Sequence, residues 1–391
     1  MDINNYDTLA VRAAVIEPVG GHGGMDYYDF ALCNSIRAVG TDVVLFTCDE
    51  AGILENAEFS VNKVYSRIYS KEPAGLRALR FLVGSIRALA HCLRQKRTIC
   101  HFHWFNVGPL ELFNAVLSRV VGRSVVVTAH DVESLAEKSL LPFIVRLAYR
   151  QCSAVIAHND WTREELIEKC GISASNIHVI PHGNYIDALG RIPDRAAAKR
   201  KLGIPISSKT LLFFGQIKDA KGLDVLLDAM RRVIRECPDA LLVIAGKVWK
   251  TDFSEYDRLI DRYGIRSNIR LKIQYIPNDE VPYYYAAADL VVLPYKKIYQ
   301  SGVLLMAMSS GRPVLVSDLP AMVEVVTNNE NGLIFHVGDA EDLAEKIVKA
   351  LGNADQLDAL GANGAKLMRS RFDWSKIGRA VAFVYASCVS A

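Results

Sequence analysis

Residues 211–224 read LLFFGQIKDAKGLD, and this stretch contains the unit from which the fold is predicted. Its first part, Leu211–Phe214, is entirely apolar, as strands are when helices cover both faces of a parallel sheet. Gly215 marks the end of the strand, and a helical pattern begins near Gly222. A strand that leads through a short loop into a helix is the repeating unit of a doubly wound α/β sheet.

The same alternation of short apolar runs and longer helical patterns continues along the whole chain. In the first half the predicted strands are Ala13–Val19, Val43–Thr47, Ile99–Trp104, Val125–Ala129, Ala154–Ala157 and Ile177–Ile180. In the second half they are Leu211–Phe214, Ala240–Ala245, Ile269–Tyr275, Leu290–Leu293, Val314–Ser317 and Gly332–Phe335. Helical stretches separate them, including Tyr27–Val39, Leu76–Leu93 and Trp161–Cys170. The sequence therefore predicts an α/β protein with two doubly wound, Rossmann-like domains.

A polar, charge-rich stretch from Asp187 to Lys209 separates the two series of strands. The length of 391 residues also favours two domains, at roughly 100–200 residues for each. We expect an N-terminal domain of residues 1–188 and a C-terminal domain of residues 189–371. Residues 372–391 are expected to form an amphipathic helix that packs back toward the N-terminal domain.

Composition narrows the classes of function. The 46 basic and 43 acidic side chains give a net charge of +3, so bulk charge gives no argument for a nucleic-acid partner. The eight cysteines are scattered without a CxxC pair, which favours reduced thiols and a cytoplasmic location over disulfides or a zinc site. No run approaches the roughly 18 uncharged apolar residues of a membrane span. The first residues also lack the apolar segment of a signal peptide.

A glycine-rich turn, Gly20-Gly21-His22-Gly23-Gly24, follows the first predicted strand and opens a helix. Free backbone N–H groups at such a helix start can receive an anion. A GxGxxG dinucleotide fingerprint beginning at Gly21 would need a third glycine where Asp26 stands, and no Walker-type Gly-Lys-Ser/Thr run is present. By itself the cluster fits either an anion site or a tight turn without a ligand.

Two further loops carry candidate residues for binding a phosphate. Lys218 and Lys221 follow the strand at residues 211–214, at the strand end where doubly wound sheets bind ligands. A solvated basic loop would show the same pattern. Ser301 is placed to cap a helix, and Gly302 leaves room for a phosphate at its first N–H groups. An ordinary capped helix is the alternative there.

Histidines are concentrated at or near the strand ends of the first half: His101, His103, His130, His158, His178 and His182. Each of them alone is most simply a structural histidine. His130, which is followed by Asp131 directly after a predicted strand, is the one that we expect to face a ligand. His101 and His103 alternate along a strand as a metal-binding pair would, but no third ligand stands at a diagnostic spacing, so we predict no metal site.

Several short segments keep a fixed order along nearly the whole chain. In the first half they are Gly23-Gly24, Gly40-Thr41-Asp42-Val43, Thr128-Ala129-His130-Asp131 and Ile180-Pro181-His182-Gly183-Asn184. In the second half they are Phe214-Gly215 through Lys221-Gly222, Ala287-Ala288-Asp289 through Pro294-Tyr295, Gly311-Arg312-Pro313-Val314, Ser317-Asp318, Asn331-Gly332-Leu333 and Phe372-Asp373-Trp374. In this order they resemble the group-1 family of retaining GT-B glycosyltransferases, the family-4 class. The resemblance implies the GT-B fold, in which two Rossmann-like domains face each other across a cleft.

The resemblance also implies an activity. A retaining glycosyltransferase of this kind moves a hexosyl group from a nucleotide-diphosphate sugar to a saccharide or lipid-linked acceptor, here in cell-surface or exopolysaccharide glycan synthesis. His130 and Lys221 are the expected catalytic residues, with His130 near the donor sugar and Lys221 on the diphosphate. The expected donor-binding residues are Gly23, Gly24, Gly215, Lys218, Lys221, Ser301, Gly302 and Val303. The nucleotide-diphosphate sugar is a co-substrate, and neither a cofactor nor a metal ion is expected to be required.

Three positions depart from the family pattern. Gln216 stands where an arginine commonly follows the glycine of the phosphate loop. Ile298 and Met306 stand where the family has its Glu-x7-Glu signature, whose glutamates contact the donor sugar and the nucleotide ribose. The turn Ser301-Gly302-Val303 resembles a recognisable branch of the family. We therefore expect a variant site rather than an inactive one.

Two helical segments of the first half combine apolar residues with arginines. The stripe Leu76, Leu79, Val83, Ile86, Ala90 and Leu93 is flanked by Arg77, Arg80, Arg87 and Arg94. Residues 140–150 repeat the mixture with Phe143, Arg146 and Arg150. Such surfaces can lie on an anionic membrane and meet a lipid-linked acceptor; core-facing stripes with solvated arginines are the alternative. We expect the acceptor to dock on this half of a cytoplasmic protein that associates peripherally with the inner face of the membrane.

Two other classes of function fit the same architecture. A nucleotide-sugar epimerase of the GT-B type would form its product without an acceptor. A non-catalytic sugar-nucleotide-binding partner of another transferase is suggested by the missing glutamates, and it would bind the donor without turnover. The interrupted GxGxxG pattern argues against a dehydrogenase.

Overall fold

The computed structural model describes residues 11–21, 24–52, 57–95, 97–132, 142–249 and 252–390. The chain divides into two units, each built around its own parallel sheet. Unit 1 comprises Met1–Gly183 and Phe372–Ala391, and unit 2 comprises Asn184–Arg371. The chain therefore leaves unit 1 after Gly183 and returns to it at Phe372.

Unit 1 contains seven strands in the order β3-β2-β1-β4-β5-β6-β7. They are β1 Arg12–Glu17, β2 Asp42–Cys48, β3 Ser60–Tyr65, β4 Thr98–Trp104, β5 Ser124–Ala129, β6 Ala154–Ala157 and β7 Ile177–Val179. Its helices are α1 Met25–Ala38, α2 Ala74–Leu93, α3 Pro109–Val120, α4 Pro142–Tyr149, α5 Asp160–Cys170 and, after the return of the chain, α15 Trp374–Ser390. The strand order reverses between β1 and β4.

Unit 2 contains six strands in the order β10-β9-β8-β11-β12-β13. They are β8 Lys209–Phe214, β9 Ala240–Ala245, β10 Ile269–Lys272, β11 Leu290–Leu293, β12 Val314–Ser317 and β13 Leu333–Phe335. The helices are α6 Ile186–Leu189, α7 Arg195–Lys201, α8 Leu223–Glu236, α9 Ser254–Arg262, α10 Val281–Ala287, α11 Gly302–Ser309, α12 Pro320–Val323, α13 Ala340–Leu351 and α14 Ala354–Ser370. The strand order reverses between β8 and β11.

The two parallel sheets confirm the predicted fold class. Every predicted strand is present, with ends that differ by a few residues. The strand β3 was not predicted, because half of its residues are polar and most of them are at least partly exposed. It pairs with β2 at the edge of the sheet, where one side of the strand needs no apolar cover.

A buried ionic contact fixes the start of β8 against the start of β11. Asp289, just before β11, accepts hydrogen bonds from the Thr210 N–H (2.7 Å) and from Lys199 Nζ (3.1 Å). Lys199 is buried and also donates to the carbonyl of Ser208 at 2.7 Å. Arg195 donates to the other oxygen of Asp289 at 2.9 Å. These bonds compensate the buried charges and hold together the two strands between which the order reverses.

The last helix, α15, belongs to unit 1 and packs on α1. Its inward side buries Ile377, Val381, Val384 and Tyr385. Burial of each such side chain stabilises the unit by roughly 1.5–3 kcal/mol. The hydroxyl of Tyr385 lies 2.6 Å from Nδ1 of His101, so this helix also satisfies a polar group inside the sheet.

Candidate functional site

The two candidate loops of unit 2 lie where the order of its strands reverses. The β8–α8 loop and the β11–α11 loop leave the carboxyl ends of neighbouring strands. Ligands of doubly wound sheets bind at such a reversal point. The predicted donor-binding residues of the second half lie on these loops or in the first turn of α11; they are Gly215, Lys218, Lys221, Ser301, Gly302 and Val303.

Lys221 is held beside an aromatic ring. Its side chain is 9% exposed, and its Nζ lies 3.6 Å from the centroid of the Tyr295 ring. The ring orients the ammonium group without neutralising it. The Lys221 N–H donates to the carbonyl of Lys218 at 2.8 Å, which fixes the main chain of the loop. The result is a localised positive charge at the strand ends, which suits a diphosphate.

Lys296 engages the acidic side chains of the same loop. Its Nζ lies 2.8 Å from Asp219 Oδ1 and 2.9 Å from Asp224 Oδ2. The Lys296 N–H also donates to the carbonyl of Ala220 at 2.9 Å, so the two loops are tied together. Because the two carboxylates share a lysine of their own, they offset less of the positive charge of Lys221.

Two glycines allow the chain segments around this site to approach one another. Gly222 has a φ of +64°, and a Cβ built on it would lie 1.8 Å from the carbonyl oxygen of Pro294. Gly246 has a φ of +150°, and its Cβ would lie 1.8 Å from the carbonyl oxygen of Gly215. Neither gap has room for a side chain. This close approach of backbone to backbone sets the position of the loop that carries Lys221.

The start of α11 is capped as the sequence predicted. Ser301 Oγ accepts a hydrogen bond from the Leu304 N–H at 3.2 Å. A Cβ at Gly302 would lie 2.8 Å from the hydroxyl of Tyr185, and one at Gly215 would lie 3.1 Å from Cγ2 of Val303. The first N–H groups of a helix have no partner within the helix. The structure thus brings a helix N-terminus, a position that suits an anion, next to the glycine that terminates β8.

Apolar side chains occupy the two positions where the family pattern has glutamates. Ile298 is buried, and Met306 is half-buried. Neither side chain offers the strong acceptor that a carboxylate presents to a ribose or sugar hydroxyl. Other groups at this edge of unit 2 must therefore bind those hydroxyls if a nucleotide sugar is the ligand.

His130 lies among buried histidines in unit 1. The backbone N–H of His130 donates to the carbonyl of Trp104 at 2.8 Å. The ring of Phe105 stacks on the His130 imidazole with 4.4 Å between centroids. His158 Nδ1 lies 3.1 Å from the carbonyl oxygen of Ile180 and carries the proton, because a carbonyl only accepts. His158 Nε2 then accepts from His130 Nδ1, 3.2 Å away. His130 is left with a bare Nε2, which has no hydrogen-bond partner among the described residues.

Burial keeps these histidines neutral. Desolvation lowers the pKa of His158 to about 3 and that of His182 to about 4. It also lowers the pKa of His130 well below its ordinary value, and the neighbouring imidazoles add to the effect. The ring of Tyr28 contacts all three imidazoles. At neutral pH His130 therefore presents a hydrogen-bond acceptor rather than a positive charge.

Acid should destabilise unit 1 because of this cluster. In the unfolded chain a histidine titrates near 6.5, whereas the folded pKa values of His130, His158 and His182 lie lower. The unfolded state therefore binds more protons as the pH falls, at a cost of about 2 kcal/mol for each of His158 and His182 by pH 5. The lowered pKa of His101 adds to this loss, whereas the raised pKa values of Asp29, Asp26, Glu111 and His103 oppose it in part.

Urea unfolding of the whole chain at pH 7 and pH 5 measures the effect. We expect a clear fall of the midpoint for the natural protein and a smaller fall for His182→Asn. The exposed His336 lies in unit 2, so His336→Gln serves as the control and should follow the natural protein. Equal midpoints at the two pH values would contradict a neutral, buried cluster.

The glycine turn of unit 1 is described in part. Gly23 lies outside the described residues. Gly24 precedes α1 with a φ of +81°, so its left-handed backbone suits glycine. Asp26 stands in the first turn of α1, and burial raises the pKa of its carboxyl. An anion at the start of α1 would lie close to this carboxyl group.

A cluster of three ionisable side chains that was not predicted lies where the strand order of unit 1 reverses. Glu17 ends β1, Asp29 lies in α1, and His103 lies in β4. Their side chains are at most 1% exposed and face one another. The sequence signal was a carboxylate at the end of an otherwise apolar strand, which we did not single out. His101, the other histidine of the strand, is structural, since Tyr385 and Thr128 contact its two ring nitrogens.

The apolar stripe of α2 faces outward. Leu79, Ile86 and Leu93 are 56%, 53% and 52% exposed, and Leu76, Val83 and Ala90 are also exposed. The alternative that this stripe is a core face is therefore wrong for α2. Phe143 on α4 is 72% exposed as well, while Leu140 and Leu141 lie outside the described residues. None of the helices in the described part of the chain is long and apolar enough to cross a membrane.

Two family models match the chain. Residues 22–186 match Glycosyltransferase Family 4, and residues 194–367 match Glycosyl transferases group 1. A D-inositol 3-phosphate glycosyltransferase of Thermobispora bispora is 26% identical over 99% of this chain and 95% of its own length. A phosphatidyl-myo-inositol mannosyltransferase of Mycobacterium leprae is 29% identical over 73% of this chain and 72% of its own length.

Solved structures share the fold. Anabaena HepE in complex with UDP-glucose superposes with a TM-score of 0.77 at 19% identity, covering 96% of this chain and 99% of that one. Sucrose-phosphate synthase from Thermosynechococcus elongatus superposes with a TM-score of 0.79 at 18% identity, covering 96% of this chain and 98% of that one. Each unit thus matches a family model, and the solved structures share the fold of both units. The chain belongs to the group 1 glycosyl transferases and is a hexosyltransferase with the GT-B fold.

Proposed function

We propose that the protein is a retaining transferase that moves a hexosyl group from a nucleotide-diphosphate sugar to a saccharide or lipid-linked acceptor. The supporting observation is the placement of Lys221 beside Tyr295, at the reversal point of the unit 2 sheet. The relatives named after inositol phosphate and phosphatidylinositol support an acceptor that is either a small polyol or a lipid-linked one. We place the reaction in the synthesis of cell-surface or exopolysaccharide glycans.

The leaving diphosphate is the group that the protein has to stabilise. In the proposed step an acceptor hydroxyl oxygen bonds to the anomeric carbon on the face that the diphosphate leaves. The bond from that carbon to the phosphate oxygen breaks, and the hydroxyl proton passes to the departing phosphate. Lys221, Lys218 and the N–H groups at Gly302 and Val303 are assigned to the negative charge that develops there. The step needs no side-chain nucleophile, no cofactor and no metal ion.

We assign His130 to the donor sugar. Its Nε2 has no partner among the described residues but is buried, so it would accept a hydrogen bond from a sugar hydroxyl near the anomeric carbon only once a side chain that covers it moves. Because it is neutral, it would not repel the positive charge that develops on the sugar in an oxocarbenium-like transition state. Gly24 and Gly215 would leave room for the donor.

Donor identity and reaction type can be tested together. A thermal-shift panel of uridine, guanosine and adenosine diphosphates identifies the nucleotide, since a ligand that binds the native state raises its apparent stability. The matching nucleotide sugar is then supplied with inositol phosphate, phosphatidylinositol or saccharide acceptors. We expect a glycoside whose anomeric configuration, read by NMR, equals that of the donor. An inverted anomer would contradict retention, and a new nucleotide sugar formed without an acceptor would indicate an epimerase.

We also propose that the protein reaches a lipid-linked acceptor by resting on the inner face of the membrane. The exposed stripe of α2 places Leu79, Ile86 and Leu93 seven residues apart, on one side of the helix. Arg87 and Arg94 are exposed beside them. An apolar face bordered by arginines complements an anionic, partly apolar surface.

Sedimentation with phosphatidylglycerol vesicles tests this surface. We expect Leu79→Glu together with Ile86→Glu to reduce the bound fraction at low salt about tenfold, because apolar contact is lost and like charges repel. The matched control is Ile206→Glu, since Ile206 is 58% exposed in unit 2. Binding that the double variant leaves unchanged, or that Ile206→Glu reduces equally, would argue against the α2 stripe as the membrane contact.

A further inference from the structure

Three buried ligand atoms converge beneath α1 in unit 1. Nδ1 of His103 lies 3.0 Å from Oδ1 of Asp29 and 3.4 Å from Oε2 of Glu17. All three atoms lie within 4.8 Å of one another. The side chains come from β1, α1 and β4, so three separate elements aim one atom each at a common point.

The described part of the chain gives none of these atoms a hydrogen bond of good geometry. Within the described part of the chain, Glu17 Oε2, Asp29 Oδ1 and His103 Nδ1 have no hydrogen-bond partner. The contact of His103 with Asp29 is short enough for a hydrogen bond but is not aligned as one. Buried polar atoms of this kind are rare, and each needs a partner to offset its loss of water.

With both carboxylates ionised, the charges of the group do not balance. Two carboxylates contribute two negative charges, and a protonated His103 would supply one positive charge. Neither Glu17 nor Asp29 forms an ion pair with a lysine or arginine among the described residues. An uncompensated charge inside a protein is strongly unfavourable. A divalent cation beside a neutral imidazole would balance the two carboxylates completely.

Two of the three distances between the ligand atoms match a coordination shell. With bonds of 2.0–2.1 Å, the ligand atoms of a tetrahedral zinc ion lie about 3.3 Å apart. The two distances from His103 Nδ1, 3.0 Å and 3.4 Å, lie on either side of this value. The imidazole nitrogen favours zinc over magnesium and calcium, which prefer a shell of oxygen ligands alone.

The place in the fold also favours a ligand. Strand order in unit 1 reverses between β1 and β4, the strands that carry Glu17 and His103. Doubly wound sheets bind their ligands at this reversal. An ion there would join both strands to α1, the helix that begins directly after the glycine turn.

We propose that Glu17, Asp29 and His103 form a zinc site inside unit 1. Three protein ligands leave a fourth position for water or hydroxide. Because the ligands are at most 1% exposed, the ion has no open side toward a substrate and serves to fix α1 against the sheet. The site is therefore independent of the proposed transfer step, which needs no metal.

Metal content of the natural, tag-free protein is the first test. A buried site admits its ion as the chain folds, so the full chain is unfolded with a chelator and refolded with or without Zn²⁺. We expect one zinc per chain by mass spectrometry after dialysis, and a higher melting temperature for the zinc-refolded protein. Refolding with Co²⁺ should give the visible absorption of a four-coordinate cobalt site. If no stoichiometric metal is retained and the melting temperature does not change, a proton balances the carboxylates instead and the proposal fails.

Matched variants locate the ion. His103→Gln and Asp29→Asn should each bind less than a tenth of the zinc that the natural protein retains. The control is His101→Gln, two residues away on the same strand, whose ring bonds to Tyr385 and Thr128 rather than to the group. Zinc retained at full stoichiometry by the two ligand variants would place the metal elsewhere and overturn the proposal. The cobalt spectrum of the natural protein decides the matter even if a variant fails to fold.

Discussion

Replacing Lys221 by alanine should lower kcat/KM for transfer by about a hundred- to a thousandfold, the usual effect of removing one group that stabilises a developing oxyanion. The ammonium group is 3.6 Å from the ring of Tyr295, so it is already oriented before a donor arrives. An oriented charge in a largely dehydrated place interacts with a diphosphate more strongly than a mobile surface lysine does.

The loss should reflect charge rather than packing. Lys221 is 9% exposed, and its aliphatic chain fills space in the loop. Lys221→Met keeps most of this volume without the charge, and we expect it to be about as inactive as Lys221→Ala. If Lys221→Met is instead fully active, the role of Lys221 is structural.

A second lysine in unit 2 provides a matched control. Nζ of Lys201 lies 3.7 Å from the ring centroid of Tyr283, almost the same distance as in the Lys221 pair. Lys201 lies at the end of α7 and is exposed, away from the β8–α8 loop. Steady-state kinetics with the identified donor should therefore show normal transfer for Lys201→Ala. Near-normal transfer by Lys221→Ala would remove this lysine from the proposed site.

Parallel strands were predictable from the sequence because burial on both faces makes them continuous apolar runs. The edge strand β3 lacks that pressure, since Asn62 and Lys63 can face solvent, and it was missed. The loops at Gly215 and Ser301 were predictable for a different reason. Strand ends collect ligands in this architecture, and a serine before an apolar helix is a cap signal.

Helix α2 shows what periodicity cannot reveal. Many of its large apolar residues form a stripe that faces outward: Leu76, Leu79, Val83, Ile86 and Leu93. The buried side combines two large residues, Phe81 and Leu89, with the small residues Gly84, Ser85, Ala88 and Cys92. A Cβ at Gly84 would lie 2.6 Å from the ring of Tyr65, so small residues are needed for this close contact. A hydrophobicity pattern reflects the size and polarity of side chains. It does not indicate where a close contact, such as that of Gly84 with Tyr65, requires a small residue.

The ionisable group of unit 1 was hidden for a related reason. Glu17, Asp29 and His103 are widely separated in sequence and come from three elements, so no motif spacing connects them. Their meeting depends on the strand order β2-β1-β4, which only the three-dimensional structure supplies. The tautomer of His130 likewise depends on the carbonyl of Ile180, through His158.

Among the loop glycines of unit 2 whose φ lies near +60°, Gly222 should be the one whose replacement by alanine destabilises the unit most. The residue has a φ of +64°, and a Cβ would lie 1.8 Å from the carbonyl oxygen of Pro294. The left-handed conformation alone costs roughly 1–2 kcal/mol for alanine. The clash is with backbone, which cannot rotate away as a side chain can, so the two loops must separate. We expect a total loss of about 3 kcal/mol or more in the free energy of unfolding.

Gly203 allows the two contributions to be separated. It has a φ of +66°, and no atom lies within 4 Å of a Cβ built on it. Gly203→Ala should therefore show the conformational cost alone, about 1–2 kcal/mol in urea unfolding. Because Lys221 precedes Gly222, separation of the loops should also move its ammonium group from the ring of Tyr295. Calorimetry should then show nucleoside diphosphate affinity at least tenfold weaker in Gly222→Ala and unchanged in Gly203→Ala. Equal losses of stability and affinity in the two variants would mean that the contact with Pro294 does not hold the lysine in place.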